Sequence, residues 1–329
     1  MKPLPTLLGV VSLLAGLFGA AGAQFSDRLY PIIELTDEDL EHIDLHDGSI
    51  GDWLDVIGDP VVTALDFHTL PGRDRVLYDP ADLDFRIWMG WHDATDRLFV
   101  AMERVDDIYV NEYQWNGLGW TIMMHDSSLQ FRVDGDHSGG QYFYYEWEVG
   151  TEGERLLLHN GQAQTYYAIG EVLDDSPLVF LQPQGLHTDW FTNPPYAEGG
   201  GGTFGENPVI TATEFYVTPF DQLVWDHPEE SRVSDLYPGK IIGFLIQTYD
   251  YEIGHNPESV HTLAGPGFDL RIDPSGIDAF SDIFADGILV GPNGEVPEGT
   301  AVQDMTWGRI KATFQPSPVD GQRDPVTQR

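Results

Sequence analysis

The chain has 329 residues, with 54 acidic against 16 basic side chains, a formal net charge of −38 and no cysteine. A surface this acidic repels phosphate groups, which argues against nucleic acid and anionic lipid as partners. Without cysteine there are no disulfide bonds, so the fold must be stabilised by core burial or by metal ions. A chain of this length buries roughly three quarters of its unfolded surface, so a cysteine-free core is feasible.

The N-terminus predicts a secretory signal peptide. Lys2 precedes an apolar run over residues 7–22, and Ala21-Gly22-Ala23 supplies a small-residue cleavage site. We therefore expect a secreted, periplasmic or extracellular protein cleaved after Ala23, with an uncleaved anchor as the alternative. No later stretch reaches the roughly 20 apolar residues that cross a bilayer, so no membrane insertion is expected.

The rest of the chain is dominated by strand signals. Residues 24–46 form an acidic lead-in, where Thr36 to Asp39 predicts a capped helical turn. From Asp47 onward, apolar residues alternate with polar ones between turns rich in Gly, Pro and Asp, which is typical of strands with one buried face. The predicted strands are 61–67, 83–91, 97–104, 128–134, 141–149, 164–170, 209–217, 240–249, 286–290 and 306–314.

This pattern predicts an all-β protein, an immunoglobulin-like or jelly-roll antiparallel β-sandwich with long loop insertions. The insertions are the irregular pieces 174–208 and 250–284, which we expect to be functional or flexible loops. With no internal repeat and no linker, the chain is interpreted as one sandwich domain over residues 47–314. A tail over residues 315–329 is expected to be disordered.

Several short motifs occur in a fixed order along this domain. They are Asp47–Trp53 (DGSIGDW), Gly90–Asp93 with Leu98–Ala101, Ser127–Asp134 with the turn to Gly140, Pro238–Gln247, and Trp307–Lys311. Their order resembles family 9 carbohydrate-binding modules, a CBM9-like and DOMON-like group. The resemblance implies an exported, non-catalytic β-sandwich that binds sugar and often calcium.

The resemblance also implies candidate sugar contacts. The family holds sugar between two tryptophans: Trp120 is the approximate counterpart of the first, and residues 298–303 supply no aromatic residue for the second. Gln130 stands where the family has a ligand-contacting Glu, and its amide retains the capacity to hydrogen-bond a hydroxyl.

Aromatic residues near strand ends extend this candidate site. Trp115 and Glu146 are further candidates, since aromatic rings stack on sugar faces while neighbouring polar groups bond hydroxyls. The alternative is that the aromatic residues pack in the core or at sheet edges, where they are favoured in any case.

A calcium site is predicted at the acidic turn that follows residues 128–134. Asp134 and Asp136, with Asp126 upstream, supply the oxygen ligands that calcium prefers. The alternative is that these side chains cap backbone amides of the turn. A second acidic pair, Asp106 and Asp107, is expected to face solvent.

Two other chemistries are less well supported by the sequence. Haem ligation by Met and His is possible in principle, but no spacing selects one pair. The residues available for it are Met89, His92, Met102, Met123, Met124 and His125. No hydrolase motif is present, and 54 acidic residues single out no catalytic pair.

The sequence therefore predicts an exported protein without enzymatic activity that recognises a poly- or oligosaccharide by aromatic stacking and hydroxyl hydrogen bonds. The alternative is a cell-surface sandwich that has lost the sugar site and acts through protein partners or self-association. Calcium is the expected cofactor in both cases.

Overall fold

The computed structural model describes residues 28–71, 78–110, 128–144, 146–151, 154, 158, 160–169, 190–252, 257–265 and 280–296. Strands dominate this part of the chain. They are β1 Leu29–Glu34, β2 Val62–Thr63, β3 His68–Pro71, β4 Leu83–His92, β5 Arg97–Asp106, β6 Ser128–Asp134, β7 Gln164–Ile169, β8 Ala197–Phe204, β9 Val209–Val217, β10 Phe220–Gln222, β11 Arg232–Val233, β12 Ile241–Asp250, β13 Ser259–Leu263 and β14 Ala285–Val290. The helices are α1 Asp37–Leu40, α2 Gly51–Val56 and α3 Glu146–Val149.

The strands form two packed layers. In the β12 layer, β6 lies between β7 and β12, while β13 and β14 pair with the other edge of β12 and β3 pairs with β13. In the β5 layer, β5 lies between β4 and β9, with β8 outside β9 and β2 against β4. Strand β1 joins the layers by pairing parallel to both β14 and β4.

The core lies between these two layers. Leu129, Phe131 and Val133 of β6 belong to the same buried cluster as Phe215 and Val217 of β9. The rings of Phe131 and Phe215 meet edge to face, with centroids 5.9 Å apart. Each such side chain contributes about 1.5–3 kcal/mol by its burial, which stabilises the sandwich without disulfide bonds.

The outer face of the β5 layer is also covered. Trp88, Phe99 and Tyr216 point away from the core. They form a second apolar cluster with Ile50, which precedes α2, and with Trp53, which lies within α2. The chain from β1 through α2 therefore packs on the sheet, and the sandwich begins within the acidic lead-in.

The β-sandwich prediction is confirmed, and most predicted strands are present to within two residues. The capped turn is also confirmed: Thr36 N–H donates to Asp39 Oδ2 over 2.8 Å, and Asp39 N–H donates to Thr36 Oγ1 over 3.2 Å. The parallel pairing of β1 departs from the predicted antiparallel pattern.

Other elements differ from the prediction. Among the described residues of the predicted strand 141–149, only Gln141 makes a β-bridge, to Phe280, and α3 follows. The predicted loops 174–208 and 250–284 contain the strands β8 and β13. Predicted strand 306–314 and the predicted tail lie outside the described residues, as does the predicted signal peptide. Among the helices of the described ranges, none has the length and apolar character needed to cross a membrane.

Four consecutive glycines in β8 allow the chain before α2 to approach the sheet backbone. A Cβ on Gly200 would lie 2.7 Å from the carbonyl oxygen of Leu45, and one on Gly48 would lie 2.8 Å from both Cα and N of Gly202. Backbone atoms cannot move aside as side chains do, so both positions require glycine.

We expect Gly48→Ala to destabilise the fold strongly. Gly58→Ala is a matched control, since Gly58 also has positive φ (82°, against 70° for Gly48) but would place its Cβ in open space. The control measures the backbone penalty alone, about 1–2 kcal/mol. Urea unfolding should show a clearly larger loss for Gly48→Ala. Equal losses would mean that the contact with β8 is not required.

Candidate functional site

A row of polar side chains crosses four strands on the outer face of the β12 layer. Gln130 of β6 lies opposite Tyr167 of β7 and Gln247 of β12, and Gln247 lies opposite Thr262 of β13. These four residues, called the polar row here, alternate with core residues such as Phe131, so they point away from the core.

Arg132 and Tyr249 complete the row through side-chain hydrogen bonds. The Arg132 guanidinium donates from Nη2 to Gln130 Oε1 over 2.7 Å and to Gln247 Oε1 over 3.0 Å. Gln130 Nε2 donates to the hydroxyl of Tyr249, and Gln247 Nε2 donates to Thr262 Oγ1 over 3.0 Å. Both amides are therefore fixed in orientation by partners on each side.

The row is buried, which is unusual for so many polar groups on one sheet face. Gln130 and Arg132 are each 1% exposed, and Tyr249, at 7%, is the most exposed member of the group. Burial raises the pKa of Tyr167 to about 12 and that of Tyr249 well above its usual value, so both phenols stay protonated hydrogen-bonding groups at neutral pH.

A second buried polar cluster lies at one end of the core. Arg104 of β5 donates to Asp106 Oδ2 over 2.7 Å and to Thr248 Oγ1 over 3.2 Å. The prediction that Asp106 faces solvent is wrong, because its carboxylate forms a buried ion pair; Asp107 is exposed as predicted. Burial also raises the pKa of nearby Asp250 to about 7.

The predicted sugar contacts are only partly placed. Gln130 lies in the polar row, hydrogen-bonded on both sides as described above. Glu146 begins α3, and its side chain is not described. Trp115 and Trp120 lie outside the described residues, so their roles stay predictions.

The predicted calcium turn is organised by backbone amides. Asp134 accepts the N–H groups of Ser138 over 3.2 Å and Gly139 over 3.0 Å, and the Ser281 hydroxyl over 2.8 Å. Asp136 Oδ1 accepts the Ser138 N–H over 3.2 Å. This matches the capping alternative, while Asp126 lies outside the described residues. Calcium at this turn stays a prediction.

The residues considered for haem serve other purposes where they are described. Met89 and Met102 belong to the core between the layers. Both ring nitrogens of His92 have partners: Nδ1 lies 2.9 Å from Thr95 Oγ1, and Nε2 lies 3.1 Å from Asp37 Oδ1. Met123, Met124 and His125 lie outside the described residues.

Carboxylates converge at places that the sequence did not indicate. Within the described ranges, three groups each bring three ligand oxygens or imidazole nitrogens within 4.8 Å of one another. They are Asp47, Asp52 and Glu214; Asp82, Asp107 and Glu252; and His227, Glu229 and Glu230. Only the first contains a buried member, Glu214.

The polar row was also missed from sequence, apart from Gln130. Gln247 of the row, with its neighbours Arg132 and Tyr249, alternates with apolar residues in β6 and β12. This alternation is the sequence signal that could have placed these polar side chains together on one sheet face. Their convergence depends on strand register, and one sequence does not provide it.

Comparison with known proteins finds similarity of fold. A family 9 carbohydrate-binding module from Caldicellulosiruptor kristjanssonii, solved with cellotriose, is 11% identical; the match covers 82% of this chain and 98% of that one, with a TM-score of 0.43. The same kind of module in complex with glucose is 10% identical, covering 79% and 96%, with a TM-score of 0.42. These solved structures carry the family name that the sequence motifs resemble. No family model and no curated protein sequence matches the chain.

We expect His261 to make stability depend on pH. Burial, with a smaller effect from Arg104, lowers its pKa from 6.5 to about 3. Between those values the unfolded chain binds a proton that the folded chain does not, so this contribution to stability rises with pH. Asp250 and Glu252, with pKa values near 7, act in the opposite direction, and only a comparison of variants isolates the histidine.

The measurement is the unfolding free energy of wild type and His261→Gln from about pH 4 to 6.5. Relative to wild type, the variant should lose stability less steeply as pH falls, because glutamine takes up no proton. His42→Gln, at an exposed site, is the control for the substitution itself. A wild-type slope in His261→Gln would contradict the assignment.

Proposed function

We propose that the chain is an exported, non-catalytic carbohydrate-binding protein whose sugar site is built on the outer face of the β12 layer. The supporting observation is the polar row with Arg132 and Tyr249: a guanidinium, two amides, two phenols and a hydroxyl on one sheet face. A buried sheet face is ordinarily apolar, because each polar group loses water and must recover a partner.

These groups suit a neutral sugar. Amides donate and accept, phenols do both, and a guanidinium donates, so together they match the alternating donor and acceptor character of sugar hydroxyls. The amides and guanidinium are already oriented by one another, which reduces the entropy lost when a ligand binds. A neutral ligand also avoids repulsion by a chain of net charge −38.

In this proposal the polar row is the floor of the site and tryptophans are its walls. Gln130 acts with Arg132 and Gln247 at the floor, Trp120 and Trp115 supply stacking surfaces, and Glu146 adds a polar contact. The signal peptide ending at Ala23, and with it secretion, belong to the same proposal.

An alternative function is association with a protein partner or a second copy. Exposed apolar side chains at a sheet edge favour it: Phe204 of β8 lies opposite Ile210 of β9, and they are 50% and 36% exposed. Edge strands with exposed apolar groups are common sites of pairing between chains.

The first test is a glycan array with the purified mature chain, followed by calorimetry with any sugar that binds. We expect Trp120→Ala to abolish binding while unfolding stays cooperative, and Trp120→Phe to retain part of the affinity because it preserves a stacking ring. A blank array from folded protein, together with a concentration-dependent mass by light scattering, would instead support association. Full affinity in folded Trp120→Ala would remove the stacking assignment.

Tyr249→Phe tests the floor of the site. It removes one hydroxyl from the most exposed member of the group, and we expect affinity to fall about 5- to 100-fold, equivalent to about 1–3 kcal/mol. Tyr237→Phe, whose ring is 51% exposed, is the matched control and should change neither affinity nor stability. Unchanged affinity in folded Tyr249→Phe would place the sugar elsewhere.

A further inference from the structure

Four polar side chains form a hydrogen-bonded chain across the strands β12, β13 and β3, called the Asp250 chain here. Ser259 Oγ lies 3.2 Å from Asp250 Oδ2 and 2.7 Å from His261 Nε2, and His261 Nδ1 lies 3.1 Å from Thr69 Oγ1. Strand register brings them together, because Asp250 lies opposite Ser259 and His261 lies opposite Thr69. The first three residues are at most 2% exposed, and Thr69 is half-buried.

The Ser259 hydroxyl has one proton but two neighbours that accept hydrogen bonds. Burial, with a smaller effect from Arg104, lowers the pKa of His261 to about 3, so at neutral pH the ring is uncharged and carries a single N–H. The serine proton serves only one of the two contacts. The other contact therefore needs a proton from the Asp250 carboxyl or from Nε2 of His261.

Two proton arrangements meet this requirement with the same heavy-atom positions. In the acid form, protonated Asp250 donates to Ser259, Ser259 donates to His261 Nε2, and the Nδ1–H donates to Thr69. In the ionised form each donor and acceptor is exchanged: Thr69 donates to Nδ1, the Nε2–H donates to Ser259, and Ser259 donates to the Asp250 carboxylate. The two forms differ by one proton, which Asp250 holds in the acid form.

A proton can pass along the chain without movement of its heavy atoms. Thr69, the most exposed member, takes a proton from solvent and gives its own to Nδ1 of His261. Nε2 then gives its proton to Ser259, and Ser259 gives its former proton to Oδ2 of Asp250. One solvent proton is consumed and one carboxyl O–H is formed. Imidazole is suited to this step because its two nitrogens exchange donor and acceptor roles.

The surroundings of Asp250 favour uptake of this proton. Its second oxygen, Oδ1, receives no hydrogen bond, and a buried carboxylate oxygen without a donor is costly. Burial raises the pKa of Asp250 to about 7 against the opposing effect of Arg104. The titratable and charged groups around it are Arg104 and Asp106 from β5, Asp82 from the segment before β4, Glu252 from the chain after β12, and His261 from β13.

We propose that the Asp250 chain is a pH-sensitive switch, in which Asp250 takes up a proton through Thr69 and His261 changes tautomer in response. The acid form joins three strands by an uncharged chain. The ionised form places a further buried negative charge beside Asp106, which weakens this edge of the β12 layer. The switch lies on the inner face of that layer and does not depend on sugar binding.

The first experiment follows the His261 tautomer by heteronuclear NMR across neutral pH. Two-bond couplings from the ring carbons' protons show which nitrogen carries the N–H, and the spectrum of His261→Gln assigns the signals. We expect the Nδ1–H tautomer below about pH 7 and the Nε2–H tautomer above it, since the pKa of Asp250 lies there. One unchanged tautomer on both sides of this pH would overturn the proposal.

Asp250→Asn tests whether the carboxyl drives the change. Asparagine has nearly the same shape but takes up no proton, so His261 should keep a single tautomer at every pH. Asp79→Asn is the matched control: this exposed residue lies near the same end of the core, and asparagine keeps the oxygen that caps the Ala81 amide. It should retain the tautomer change. A wild-type tautomer change in Asp250→Asn would contradict the proposal.

The unfolding equilibrium supplies a second readout. Between about pH 4 and 7 the folded chain holds a proton on Asp250 that the unfolded chain has lost, so the stability of wild type falls as pH rises. Relative to Asp250→Asn, the folding equilibrium constant of wild type should fall about tenfold per pH unit and level off above the transition. Parallel pH profiles in the two proteins would show that Asp250 takes up no proton on folding and would overturn the switch.

Discussion

Burial of charge in a chain with no disulfide bonds is the constraint on which this structure depends. Arg104, Arg132 and Glu214 all have side chains removed from water. Taking an ion out of water costs several kcal/mol, and the cost is recovered only if partners are well placed. Where partners are present, the buried group reinforces the sandwich.

The two arginines illustrate this differently. Arg104 joins Asp106 and Thr248 between the layers, so its network ties β5 to β12 and serves the fold. Arg132 instead bonds two neutral amides on an outer sheet face. The two amide oxygens that accept from Nη2 fix the orientation of this guanidinium across β6 and β12. The inter-layer network thus serves the fold, whereas the outer-face network is the one on which the sugar site is proposed.

Much of the fold was predictable because buried strands alternate. The segments that became β4, β5, β6, β9 and β12 carry clear period-two patterns, and each is present in the structure. Strand β8 was missed because four glycines carry no side-chain pattern, although they are what allows Gly48 to approach the sheet. The segment after Asp47 has the sequence pattern of a turn followed by a strand. In the structure it forms helix α2, and Trp53 is the buried residue of that helix.

The sites were less predictable, for a reason of geometry. Gln130 was identified from a motif, but its partners Arg132 and Gln247 come together only through side-chain direction and strand pairing. Glu214 did leave a signal: it shares a strand face with Ala212 and Tyr216, both of which pack on an apolar cluster. A carboxylate in that position requires an explanation that the strand alone does not provide. Its partner lies 161 residues earlier: the indole N–H of Trp53 in α2 donates to Glu214 Oε2 over 2.9 Å, a contact that no local sequence pattern reveals.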